Sequence, residues 1–124
     1  RKAEMERRVR QLNNALGREK DDYKYNTKAD EESDTASDVF REGKFDDSEY
    51  EGKVGSDPEN SDLSNADMDT VRNELISQID TINDDIETYK AQLKTVENNR
   101  DELQQTIDSM SDLSTVTNNF GISK

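Results

Sequence analysis

The stretch MDTVRNELISQIDTINDDIETYKAQLKTVENNRDELQQTIDSM, residues 68 to 110, decides the fold. Its apolar residues follow a 4,3 rhythm: Met68, Leu75, Ile79, Ile82, Ile86, Tyr89, Leu93, Val96, Leu103, Ile107 and Met110. That spacing places them along one stripe of a helix and predicts a long helix that buries the stripe against a partner helix. With Ile79 at heptad position a, the a series is Arg72, Ile79, Ile86, Leu93, Arg100 and Ile107. The d series is then Met68, Leu75, Ile82, Tyr89, Val96, Leu103 and Met110.

Several details of the seam bear on its partner. Isoleucine at both a and d in the centre (Ile79, Ile82, Ile86) leans towards trimers. Val71, Ile76 and Leu113 flank the stripe and widen it, which suits three or more helices. The e and g positions are mostly uncharged (Gln78, Asn83, Gln92, Asn99, Gln104), and Asp85 with Lys90 is the clear attractive pair for a parallel arrangement. Arg100 is the odd member. A guanidinium in a buried seam is costly unless it is paired or reaches water, so it reads as a snorkelling side chain or as a register-fixing layer with a neighbour's Glu97 or Glu102.

Ser64 or Asn65 is placed to cap this helix, with Asp67 and Asp69 in the first turn where carboxylates favour the positive end of the helix dipole. No Gly or Pro occurs between Pro58 and Gly121, so the helix is expected to cover residues 67 to 116, followed by a polar tail over 117 to 124. A shorter repeat opens the chain. Met5, Val9, Leu12 and Leu16 stand at 4,3,4 spacing among Arg, Lys, Glu and Gln, predicting a basic amphipathic helix within residues 1 to 23. Gly17 either ends it or weakens it by about 1 kcal/mol. Isolated helices below about 15 residues rarely persist in water, so this one is expected to dock its face on another helix.

Residues 24 to 66 are rich in Asp, Glu, Ser, Lys and Gly, and Val39, Phe40, Phe45, Tyr50, Val54 and Leu63 stand among them without a period. Such a segment is expected to be a largely disordered acidic linker, because ordering costs about 1 to 2 kcal/mol of backbone entropy per residue. Phe40, Phe45 and Tyr50 could then form a short motif for a basic, apolar groove. The chain is therefore read as all-α, with a short helix, a linker and a long coiled-coil helix. Its 28% apolar and 38% charged residues argue against a compact single globule.

The net charge of −13 is uneven, at +4 over residues 1 to 20, −11 over 21 to 67 and −6 over 68 to 124. The basic helix could fold back on the acidic one, although attraction reaches only about 8 Å at physiological salt. With neither His nor Cys, the common zinc sites and His-based nucleophilic triads are excluded by inventory. The nearest approach to a calcium loop runs from Asp47 to Pro58. It carries Gly52 at its sixth place but Pro58 where a bidentate Glu belongs, so it fails as an EF-hand. No cofactor is expected.

Nothing approaches the run of about 20 apolar residues needed to span a bilayer, so a soluble protein is expected, intracellular or virion-associated. Nucleic-acid contact could rest only on Arg7, Arg8, Arg10 and their basic neighbours beside an acidic segment that repels phosphate. The function expected is non-enzymatic: structural assembly through coiled-coil oligomerisation, as a dimer or trimer, or through docking to a partner helix. Two alternatives are an acidic adaptor whose centre (24 to 66) binds a basic partner and a fragment of a filament or virion component.

Overall fold

The computed structural model describes residues 1 to 28 and 33 to 119, with side chains through Asp112. Helices and the turns that connect them make up the described residues, which contain no strand. Helix α1 spans Lys2–Ala15, α2 Asp34–Val39, α3 Asp47–Val54 and α4 Asn65–Asn119, and short 3-10 turns occur at Arg41–Gly43 and Pro58–Asn60. The chain divides into two compact units, residues 1 to 83 and residues 84 to 124, so α4 contributes its first part to one unit and the remainder to the other. It continues through Asn119, past the expected start of the polar tail. The rest of that tail lies outside the described residues.

Local chemistry sets each boundary. After α1, Gly17 takes φ +70°; the Arg18 N–H bonds the Asn13 carbonyl at 2.7 Å and the Gly17 N–H bonds that of Asn14 at 3.1 Å. This is the paired closure in which glycine relieves the steric cost of a left-handed residue. Helix α2 is capped by Ser33, whose Oγ accepts from the Ala36 N–H at 3.0 Å. In α3 the Asp46 carboxylate accepts from Ser48 and Glu49, and Gly55 ends the helix at φ +88°. Helix α4 starts as expected, with Ser64 Oγ accepting from the Asp67 N–H at 3.1 Å.

The expectation of a disordered linker over 24 to 66 is corrected for residues 33 to 66, residues 29 to 32 lying outside the described ones. Its scattered apolar residues converge: Ala36, Val39 and Phe40 from the end of α2, Phe45, and Tyr50 and Val54 from α3 are all buried in one cluster. Phe40 and Phe45 lie 6.1 Å apart between ring centroids, and Phe45 meets Tyr50 edge-on at 6.2 Å. The cluster is completed by Met5, Val9 and Leu12 of α1 and by Met68, Val71, Leu75, Ile76 and Ile79 of α4. Helices too short to stand alone are held because two longer apolar faces share the burial. Leu16 and Ile82 pack at its margin, half-buried.

Two arginines are part of this core. Arg8, about 1% exposed, donates from Nε and Nη2 to Asp47 at 2.6 and 3.0 Å, reaches Glu51 at 3.3 Å and lies 4.6 Å from the centre of the Tyr50 ring. Arg72, equally buried, donates to Asn13 Oδ1, to the Lys24 carbonyl at 2.8 Å and to the Asp22 carbonyl at 2.7 Å. Asn13 itself donates to the Lys20 and Asp22 carbonyls. The stretch following α1 is thereby pinned to α4 through its backbone. Buried charge is tolerated because each donor meets an acceptor.

Candidate helix-association surface

The eleven residues expected to form one helix interface have two fates. Leu75 and Ile79 are buried among this chain's own residues and Ile82 is half-buried, so no partner helix is required there. Val71 and Ile76, which widened the expected seam, are buried in the same core. The coiled-coil reading is therefore corrected for the start of α4. Met5, Val9 and Leu12 likewise face the internal core, with Leu16 beside them.

From residue 84 onward the stripe is uncovered. Ile86, at 36% exposure, is the least exposed member, while Tyr89, Leu93, Val96, Leu103, Ile107 and Met110 lie between 53% and 67%. All seven occupy a or d, and no large apolar side chain stands at e or g between residues 84 and 112. Four heptads thus carry an apolar stripe only two positions wide, interrupted by Arg100. A stripe of that width fits a two-stranded seam better than a larger bundle. The width argument for three helices loses Val71 and Ile76, which are spent internally, and its third residue, Leu113, lies outside the residues whose side chains are described.

Charges around the stripe are sparsely paired. Lys90 approaches Glu87 at 3.7 Å, Gln104 donates to Asp108 at 3.0 Å, and Arg100, about three-quarters exposed, comes within 4.0 Å of Asp101. Neither Glu97 nor Glu102 forms an ion pair with Arg100 within the chain. Exposed pairs of this kind contribute roughly 0 to 1 kcal/mol.

The basic residues of α1 provide the competing surface. Arg7, Arg10, Gln11, Asn14, Arg18 and Lys20 line an open depression of about 510 Å³. Its cations are largely matched internally: Arg7 with Asp47 at 3.1 Å, Arg10 with Asp21 at 3.1 Å, and Arg18 with Asp69. Arg8, one of the three arginines considered for nucleic-acid contact, points into the core. Phe40, Phe45 and Tyr50, considered as a docking motif, are buried as well.

The electrostatics of this unit serve the fold. Burial opposes charge on Arg8, but the hydrogen bond and attraction from Asp47 outweigh it and raise its pKa. The same hydrogen bond, against a smaller effect of burial, holds the Asp47 carboxyl below the usual range. Burial raises the Tyr50 hydroxyl. It also lowers Arg72, with a further push from Arg18. Among the described residues no three acidic groups gather where a metal ion could sit, and no helix is long and apolar enough to cross a membrane. No family model, curated protein or solved structure matches this chain.

Proposed function

We propose that this protein is a non-enzymatic assembly module that associates through helix α4, burying the stripe from Ile86 to Met110 against another helix. The observation that carries the reading is the exposure of seven large apolar side chains at a and d positions over four heptads. Scattered exposed apolar residues are ordinary, whereas a continuous stripe marks an interaction surface.

The helix around the stripe offers little support of its own. Lys90 with Lys94 and Glu97 with Asp101 are like-charged at i,i+4, which destabilises a lone helix by a few tenths of a kcal/mol each. Thr88, Thr95, Val96, Thr106 and Ile107 are β-branched and lower helix propensity. Packing of the apolar face is therefore the term that stabilises α4 beyond residue 84. Residues 1 to 83, with a buried core of their own, would serve as the folded unit that this association brings together.

Sedimentation equilibrium on the intact chain tests the reading, alongside a Leu93→Asn/Leu103→Asn variant. The expected result is concentration-dependent association of the parent chain and a monomer for the variant, with residues 1 to 83 folded in both. A variant that associates as strongly as the parent would rule the stripe out.

A further inference from the structure

The uncovered stripe also carries information about what covers it. We infer that its occupant is a second copy of this chain lying antiparallel, with the two helices crossing at the level of Asn98. This deepens the association reading and rests on it.

The first argument is the layer at Arg100. In a parallel, in-register pair, a meets a and d meets d, so the two Arg100 guanidinium groups would share one layer. In an antiparallel pair, a layers face d layers. Aligning residue 98 with its symmetry mate then sets Ile86 against Met110 of the second copy, Tyr89 against Ile107, Leu93 against Leu103 and Val96 against Arg100. Every apolar residue from Ile86 to Met110 obtains a partner without a gap. The two arginines separate along the axis by four residues, about 6 Å. Each comes beside Glu97 of the other copy, which occupies the flanking e position next to Val96. Glu97 and Arg100 are both free of these partners within the chain, since the nearest carboxylate to Arg100 is Asp101 at 4.0 Å.

The second argument is the order of charge along one flank. Reading the e and b positions from residue 90, the charged groups are Lys90, Lys94, Glu97, Asp101 and Asp108, two cations followed by three anions. Reversal of one helix brings Lys90 and Lys94 level with Asp108 and Asp101 of its mate, while the two Glu97 carboxylates, which meet at the crossing, each lie beside an Arg100. Glu87, the acid on the cationic side, is already 3.7 Å from Lys90. The parallel alternative offers only Asp85 with Lys90. On the opposite flank Gln92, Asn99 and Thr106 are uncharged, and its two acids, Asp85 and Glu102, fall level with residues 111 and 94 of the mate, so no like charges meet there in the antiparallel pair. The narrow stripe, confined to a and d, sets the number of strands at two.

The chain contains no cysteine, which makes disulfide trapping unambiguous. Leu93→Cys and Leu103→Cys are prepared as separate full-length variants, confirmed as dimers by sedimentation, and equilibrated in a glutathione redox buffer alone and as an equimolar mixture. Antiparallel pairing predicts that neither variant cross-links by itself, because residue 93 and its mate lie about 15 Å apart along the axis, beyond disulfide reach. It predicts that the mixture does cross-link, joining tryptic peptide 91–94 to peptide 101–124. Disulfides within each variant alone would overturn the antiparallel arrangement while leaving association through the stripe intact. A parent chain that stays monomeric would overturn the second copy as occupant and leave a foreign helix for the association reading. Should either leucine variant fail to dimerise, Ile86→Cys with Met110→Cys reads the same register at the ends of the stripe.

Discussion

Replacing Arg72 with methionine tests whether the buried polar network holds the first unit together. Methionine keeps most of the aliphatic stem and fills similar space but donates nothing. Substitution of a buried ion pair by apolar residues is often neutral, because desolvation relief offsets lost attraction. Here the acceptors cannot be removed with the arginine, since two of them are the Lys24 and Asp22 carbonyls. Asp22 keeps a hydrogen bond from Asn13 at 2.8 Å, and the Asn73 side-chain oxygen keeps one from the Asn26 N–H at 3.1 Å. The Lys24 carbonyl and Asn13 Oδ1 lose their donor, at roughly 1 to 3 kcal/mol for each orphaned acceptor. Burial disfavours the Arg72 charge, so removal returns part of that cost. The net loss is about 3 kcal/mol.

An 83-residue unit has a total stability of roughly 4 to 12 kcal/mol, so the change would be conspicuous. Urea unfolding followed by near-ultraviolet tyrosine dichroism should show the midpoint falling by about 2 to 3 M at a slope near 1 kcal/mol per M. Asn13→Ala in the same background should add less than its separate cost, because both side chains serve one network. A loss below about 1 kcal/mol for Arg72→Met, or full additivity with Asn13→Ala, would refute the network as a determinant of this fold.

Three further outcomes follow from the same unit. Phe45→Ala, removing a ring packed between Phe40 and Tyr50, should cost about 3 to 5 kcal/mol in urea unfolding; an effect near zero would mean that the acidic middle is not folded. The Asp47 carboxyl, held low by its hydrogen bond from Arg8, contributes stability that is present above the unfolded carboxylate pKa near 4 and lost as pH falls through the folded value. Urea midpoints at pH 7 and pH 3 should therefore diverge, and Asp47→Asn should narrow the difference. The Tyr50 hydroxyl is buried without a hydrogen-bond partner, so Tyr50→Phe should change stability at pH 7 by no more than about 0.5 kcal/mol. Burial raises its pKa above the unfolded value near 10, so its contribution is complete below that pH and is lost above it. The phenylalanine variant should accordingly resist alkaline unfolding better than the parent.

The sequence shows the long and short helices and the start at Ser64 because heptad spacing and capping are local signals. The acidic middle misleads because its apolar residues follow no period: α2 and α3 each place only two or three side chains in the core. A legible signal nevertheless exists there. Ser33, Asp46 and Asp57 each precede a turn whose N–H groups they bind, and Asp46-Asp47-Ser48-Glu49 has the spacing of a capping box closed by an acid. Part of the acidic charge in this segment is spent on helix ends and not on solvation. The division of the stripe near residue 83 is not legible, since Ile79 and Ile86 occupy the same heptad position. Only the folded middle shows that Ile79 is already covered. Arg72 shares position a with Arg100, yet one is pinned among carbonyls and the other is exposed.

Amide hydrogen exchange of the intact chain at two concentrations, one on each side of the association midpoint, tests the central claim most directly. The account predicts that amides from residue 84 to 112 gain protection at the higher concentration while those of α1 and α3 keep theirs unchanged. Protection over 84 to 112 that is strong and independent of concentration would contradict it, because that part of α4 would then be stable without a second copy.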